Sequence, residues 1–480
     1  MEMCDFRTAG CLRRTLFAVL ATAAVVLMGT VDRASAQLPT VETLTGSAEV
    51  GPHFQDVEDA IGRFQARDAE GARRLLGEAR KKTPRLAPAE VMLSILFYSI
   101  GQQQQANSEL ERAIKQEPKD PEAYLVLGDL SFREGRITEA QLLFQHGLKL
   151  AEEYSGPQRR KKELTARAHA GAAAVFEKRQ QLKEARPHLE AWAKLEPEKS
   201  APHQRLARAL FEAGSRKEAY SELQAAAKAD KTVLQPEIML ASFYHTAGDK
   251  AKAEEWIKAA SRRSKSTLTE VSVAQLLWQM GQNKAAETHA DAAVRAEPSN
   301  FDANMVRGMV ARMVKDYDTA QRYFERAHLL SPSNTQPLRL LALVLIEQKD
   351  DAAKKRALDY AEALVRAGRS IESASTLGWV QYKLGRNSEA ERSFQPVFAA
   401  GQMNPEVAFF AAHVARDQGR TDVASKLLDF AVATDQPFAY RDEAEKLKGK
   451  MKTQDTSINK GTAPRTPVTP PGPGTDPEPM

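Results

Sequence analysis

The chain has 480 residues and only two cysteines, Cys4 and Cys11. Both precede an apolar run near the N-terminus, so the rest of the chain can form no disulfide, no thiolate metal site and no cysteine nucleophile. Its stability must come from burial. Long apolar runs are also missing. The one at 16–29 has 14 residues, against the roughly 20 a membrane-spanning helix needs. No charge sign dominates: 68 basic residues face 63 acidic ones, a formal +5. A nucleic-acid footprint would need that small excess gathered on one face, and no nucleic-acid partner is expected. The chain has no G-x-S-x-G, no H-E-x-x-H and no phosphate-cradling glycine loop. Its nine histidines are scattered. No catalytic residue, metal ligand or cofactor site is expected, and the chain reads as not an enzyme.

The N-terminus reads as a secretory signal. Arg13 and Arg14 precede the apolar run, and Ala34, Ser35 and Ala36 form an A-x-A cleavage pattern, which makes Gln37 the first mature residue. The stretch 13–17 loosely resembles a twin-arginine signal, but it lacks the flanking residues, which favours general secretion. No cysteine follows the run, which argues against a lipoprotein anchor. The expectation is export to the periplasm or cell envelope, or secretion.

What the sequence does have is a period. Ala72, Ala106, Ala140, Ala185, Ala219, Ala253, Ala286, Ala320, Ala357, Ala390 and Ala424 stand 34, 34, 45, 34, 34, 33, 34, 37, 33 and 34 residues apart. Five residues ahead of most of them lies a glycine: Gly101, Gly135, Gly214, Gly248, Gly281, Gly385 and Gly419. Such a glycine supplies the backbone angles of a helix C-cap. On either side run apolar stripes at helical spacing, such as Tyr124, Leu127 and Leu130, then Leu143, Phe144 and Leu148. Prolines close units at Pro84, Pro118, Pro197, Pro298 and Pro332, where a helix cannot continue.

Two helices in 34 residues, repeated about eleven times, is similar to the tetratricopeptide (TPR) repeat. The third unit carries the resemblance best, with Tyr124, Leu127, Gly128, Ala140, Phe144 and Gly147 in register. In the eighth unit, Gly308, Ala320, Phe324, Ala327 and Pro332 match. The resemblance implies an all-α solenoid, a right-handed superhelix of hairpins with a concave groove. The expected plan is a signal at 1–36 and a linker at 37–52. Repeat units follow near 53–86, 87–120, 121–165, 166–199, 200–233, 234–266, 267–300, 301–334, 335–370, 371–404 and 405–434. A capping helix is expected at 435–451, with Asp435 as N-cap and Pro437 as first helical residue. The tail at 452–480 has seven prolines in 29 residues and reads as disordered.

Three departures stand out. The 45-residue step holds an excess around 155–165. The fourth and eighth units put Gln180 and Lys315 where the turn glycine belongs. The ninth unit has about three extra residues in its turn. The basic run 159–162 could meet an acidic partner or anionic lipid at the membrane periphery, but a solvated surface is the favoured reading.

The resemblance also implies a ligand path along the first helices of successive units. Transferred register puts Arg208 and Phe211, Ser242 and His245, Gln275 and Trp278, Arg312, Arg339, Trp379 and Tyr382, and His413 and Arg416 on that groove. Arginine and aromatic residues suit a binding surface, here for acidic or C-terminal peptide segments. No unit pairs lysine at its fifth position with asparagine at its ninth, which disfavours the clamp that holds chaperone tails. Exported proteins of this kind resemble scaffolds of bacterial envelope assembly and secretion, including exopolysaccharide export and surface-protein sorting. That implies a scaffold for protein or peptide partners. A glycan-binding module using groove aromatics and a plain structural spacer are the alternatives.

Overall fold

The computed structural model describes residues 40, 41, 44, 54–401, 403–433 and 436–461, with side chains through Met451. The expected signal segment, most of the 37–52 linker and residues 462–480 lie outside them. The described chain is helical and divides into two compact units, Met1–Ala229 and Asp230–Met480.

The first unit holds five hairpins: α1 (Gln55–Gln65) with α2 (Ala69–Lys82), α3 (Ala89–Ser99) with α4 (Gln103–Gln116), α5 (Glu122–Arg133) with α6 (Ile137–Glu153), α7 (Gln158–Lys178) with α8 (Leu182–Leu195), and α9 (Ser200–Glu212) with α10 (Arg216–Ala229). The second unit holds six: α11 (Pro236–Thr246) with α12 (Lys250–Arg263), α13 (Thr267–Gln279) with α14 (Asn283–Ala296), α15 (Phe301–Met313) with α16 (Tyr317–Leu330), α17 (Thr335–Leu345) with α18 (Asp351–Ala367), α19 (Ile371–Lys383) with α20 (Asn387–Ala400), and α21 (Pro405–Asp417) with α22 (Thr421–Ala433). A last helix, α23 (Arg441–Gly461), packs on α22. Within each unit, first helices such as α3 and α5, or α19 and α21, touch across successive hairpins, whereas second helices splay apart. The first helices therefore form the inner face of each unit.

The repeat positions explain the packing. In α16, Ala320, Phe324 and Ala327 are fully buried along one stripe. The Phe324 ring rests against Gly308 of α15, where an added Cβ would lie 2.5 Å from a ring carbon. The seven turn glycines named above have φ between +74° and +86°. Gln180 and Lys315 take the same left-handed turn at φ +60° and +62°, as does Arg67 at +65°. The stack thus imposes the turn where the residue resists it.

The excess at the 45-residue step becomes helix. It extends α6 and α7, and the third unit ends near Glu153 rather than 165. This corrects the expectation for the basic run 159–162. Arg160 is not solvated: its side chain is 2% exposed. It donates to both oxygens of Asp120 at 2.7 and 3.0 Å, to Glu122 at 2.8 Å and to the Tyr154 hydroxyl at 2.6 Å. Burial opposes its charge, but these acids hold its pKa above the ordinary arginine value. Arg80 of α2 reaches the same Asp120 at 3.3 Å. The extra turns of α7 thus lay a cation over the loop between α4 and α5 and tie three hairpins together.

One further expectation is corrected. Pro437 precedes the last helix instead of opening it, and the N-terminal turn of α23 forms on the carbonyl of Tyr440, which accepts from the Ala444 amide. Asp435 lies outside the described residues. The helix runs on to Gly461; the rest of the tail lies outside the described residues.

The left-handed turn at Gln180 gives a stability test. Gln180→Gly should stabilise the chain by about 0.5–1 kcal/mol, the strain relieved less the added freedom of the unfolded glycine. Gly385→Ala should destabilise it by a similar amount, both read by denaturant unfolding.

Candidate functional site

The inner face of the second unit is where the structure gathers most of the sequence candidates. Arg312 sits in the last turn of α15, Arg339 on α17, Trp379 and Tyr382 on α19, and His413 and Arg416 on α21. They converge, but they do not line an open groove. Arg312 donates to Glu406 at the start of α21 at 2.7 Å, and Arg339 lies 3.7 Å from the other oxygen of that carboxylate. Arg312 is buried, and its guanidinium lies 5.5 Å from the Tyr440 ring centroid. The Tyr440 hydroxyl donates to Glu347 at 3.0 Å, and Lys383 binds the other oxygen of Glu347 at 3.0 Å. Lys315 pairs with Glu443 of α23. Hairpins eight to eleven and the start of α23 are clasped across their own inner face.

The electrostatics follow from this crowding. Burial depresses the Arg312 pKa, but Glu406 overrides it and holds the group above the ordinary value. Arg339 is left lower than an ordinary arginine, by burial first and with Arg312 adding to it, because Glu406 cannot fully serve both. Burial pushes the Tyr440 phenol well up.

The aromatic candidates are largely consumed by packing. Trp379 is 2% exposed; it stacks on Phe410 at 4.3 Å and meets Tyr440 edge-on at 5.7 Å. Tyr440 in turn stacks on Phe409 at 5.4 Å. His413 packs edge-on against Phe409 at 4.8 Å. Burial first, then the Arg416 charge, brings its pKa down to about 4. Tyr382 donates to Asp417 at 2.8 Å, and burial with that carboxylate pushes it up to about 12. Arg416 pairs with Asp417 at 2.7 Å.

The remaining candidates lie elsewhere. His245 on α11 and Gln275 and Trp278 on α13, with Ser242, are half-buried on the inner face of hairpins six and seven. Arg208 and Phe211 belong to α9 of the first unit. Phe211 is buried under the Arg216 guanidinium, 3.5 Å from its ring centroid. Sequence reasoning missed Glu406 and Phe409, although they hold the second and fifth positions of the eleventh unit, the register that flagged the others. It also missed Glu347, which follows its helix, and placed Tyr440 on a capping helix without seeing its inner partners.

Open space on an inner face remains in the first unit. Ile95 and Tyr98 of α3 face Val126 and Leu130 of α5 across an apolar slot of about 250 Å³, with Ser94, Ser99 and Arg133 at its edge. The exposed Arg133 lies over the Tyr98 ring at 4.9 Å and reaches only the Asp129 carbonyl at 3.4 Å. It pairs with no carboxylate among the described residues. Its neighbours do: Arg167 binds Asp129 at 2.5 Å, and Arg205 binds Glu177 at 2.7 Å.

Stacked helix hairpins with a charged inner face define an α-solenoid scaffold. Residues 101–155 match one tetratricopeptide repeat family model, and residues 274–328 and 375–439 match another. The chain therefore carries tetratricopeptide repeats, a fold that generally serves protein interaction. Among solved structures it is similar to a tetratricopeptide repeat protein from Parabacteroides merdae, at 12% identity and TM-score 0.36, covering 60% of this chain and 98% of that one. It is also similar to yeast Tom70, at 13% identity and TM-score 0.39, covering 85% and 99%. A third is pilF of Pseudomonas aeruginosa, at 15% identity and TM-score 0.32, covering 45% and 94%. Overlays this loose carry no argument about function. No curated protein matches the chain.

Two tests follow. Glu406→Gln should cost the second unit about 3 kcal/mol, because it strands the buried Arg312 guanidinium and leaves the half-buried Arg339 without its carboxylate. Combining Glu406→Leu with Arg312→Met should recover much of that loss, read as a double-mutant cycle by denaturant unfolding. The second test is pH. His413 stays neutral in the fold down to about pH 4, whereas the unfolded chain takes up the proton near pH 6.5. Its contribution is therefore full above pH 6.5 and is lost as pH falls towards 4. His413→Gln should flatten that slope in the second unit. His169, also brought down to about 4 by burial and then by the charge of His188, adds the same trend in the first.

Proposed function

We propose that this chain is a non-enzymatic, exported scaffold that holds protein or peptide partners along its first-helix faces. The setting we infer is envelope assembly or secretion, such as exopolysaccharide export. The observation that carries the binding is the slot between α3 and α5. It is apolar within, and it is rimmed by an exposed arginine that pairs with no carboxylate among the described residues. Such a slot suits an apolar side chain with an acidic neighbour. The self-clasped inner face of hairpins eight to eleven supports the same reading from the other side, because there the cations are already spoken for. Export follows from the N-terminal pattern of Arg13, Arg14 and the 34–36 cleavage site. The burial of Phe211 and Trp379 counts against sugar stacking at those two positions.

The test is capture. Full-length chain and its Arg133→Glu and Val126→Trp variants are immobilised, and envelope extract is passed over each at low and high salt. Proteins retained by the parent should fall by about tenfold on Arg133→Glu, with a salt dependence of the same origin. Identical protein lists on all three surfaces would reject the slot as the binding site. Empty lists would favour a spacer, and salt-insensitive retention of polysaccharide would favour glycan binding.

A further inference from the structure

The outer side of the second unit holds a second kind of surface. Helices α12 and α14, the second helices of hairpins six and seven, stand apart over an open cleft of about 600 Å³. The contact of α12 with the next first helix, α13, is among the thinnest at any such step. Its floor is apolar: Ile257 of α12, Leu277 of α13 and Ala285 of α14. Along the α12 side stand Lys258, Arg262 and Lys265, at i, i+4 and i+7, and so on one face of the helix and its exit.

Two equivalent gaps are bridged by opposite charges. Arg73 of α2 binds Glu109 of α4 at 2.6 Å, and Arg356 of α18 binds Glu325 of α16 at 2.7 Å. No ion pair joins α12 to α14 across their cleft among the described residues; the polar bridge there lies at one end, where Gln282, just ahead of α14, donates to Glu254. Opposite the cations, α14 presents Ala285 and His289, and His289 is bound to Glu270 at 2.6 Å. Lys265 reaches Glu270 at 3.5 Å. Lys258 and Arg262 are exposed and form no ion pair among the described residues.

We infer that this cleft is a docking groove for an acidic amphipathic helix of a partner protein. Three cations stand along one wall beside a single carboxylate, Glu254, which Gln282 already holds, so the wall is net positive, while the apolar floor calls for a ligand with an apolar face as well as negative charge. The stripe from Glu254 to Lys265 runs about 16 Å at 1.5 Å per residue, enough for three turns of a docked helix. A nucleic acid or a polyphosphate would use the cations and leave the floor unfilled. The inference shares with the proposed function only the premise that partners are proteins; it concerns a different face.

The test uses the full chain and a labelled fourteen-residue helical peptide with leucines on one face and glutamates on the other. A peptide with lysine for glutamate, phosphatidylglycerol vesicles and a single-stranded oligonucleotide serve as comparisons, all at low salt. The glutamate peptide should bind best. Lys258→Glu combined with Arg262→Glu should weaken it by about tenfold or more. Ala285→Glu should do the same by setting a negative charge at the α14 edge of the floor, opposite the cations. Lys258→Arg should leave binding intact, and so should Arg133→Glu, which separates this site from the slot in the first unit. All of these positions are exposed and outside the core, so circular dichroism should be unchanged. No binding of the glutamate peptide, binding indifferent to both groove variants, or stronger binding to vesicles or oligonucleotide would overturn the inference.

Discussion

A helix hairpin with two apolar stripes can bury only part of them in its own interface, and every other feature of this chain follows from that shortfall. Each hairpin must borrow a neighbour, and the neighbour must borrow the next. The small residue in each first helix, as at Gly308 under Phe324, sets how close the two helices of a hairpin come. The turn then has to deliver the second helix at a fixed angle, so Gln180 and Lys315 are held left-handed like the glycines of the other turns. The constraint outranks the local preference of the residue.

Where the spacing departs from its period, the structure places buried or half-buried charge. The 45-residue step brings in Arg160 with Asp120 and Glu122, and the 37-residue step lies beside Arg339, Glu347 and Glu406. Ion pairs like these add little net stability, because both charges lose water. They discriminate strongly, since any shift of one hairpin against the next leaves a buried charge without its partner. The insertions would otherwise loosen the register, and the charge networks fix it at those points. Tyr440 belongs to the same arrangement. Through Glu347 and Arg312 it secures the start of α23 to hairpins eight and nine as well as to its neighbour in sequence.

The repeat architecture was legible because it is local. The alanine period, the turn glycines and the stripes all lie within one unit, and each of these turn glycines does sit at a left-handed turn. The fate of the groove residues was not legible, because it depends on residues three hairpins away. Arg312 and Glu406 stand 94 positions apart, and nothing in the repeat register says how far the inner face will close. Arg160 misled for a related reason. A run of basic residues is usually a solvated face, and only the fold-back of lengthened helices over the α4–α5 loop shows that one of the four is interior.

The arginines show why residue type alone was a weak guide to the binding surface. Arg312, Arg339, Arg133 and Arg262 have the same side chain, and three of the four sit on first helices. What separates them is whether the fold supplies a carboxylate. A guanidinium that already holds Glu406 has little to offer a ligand, and a ligand reaching for it would first have to unmake a buried pair. Arg133 has no such debt, and neither do Lys258 and Arg262. Each lies at the edge of an apolar recess that a neighbouring helix leaves unfilled. Unpaired cation and unfilled recess are both costs that the fold leaves in place, and they coincide at these two clefts. A partner with an acidic group beside an apolar one relieves both costs at once. That coincidence, rather than the abundance of arginine on the inner helices, is the physical ground for placing recognition there.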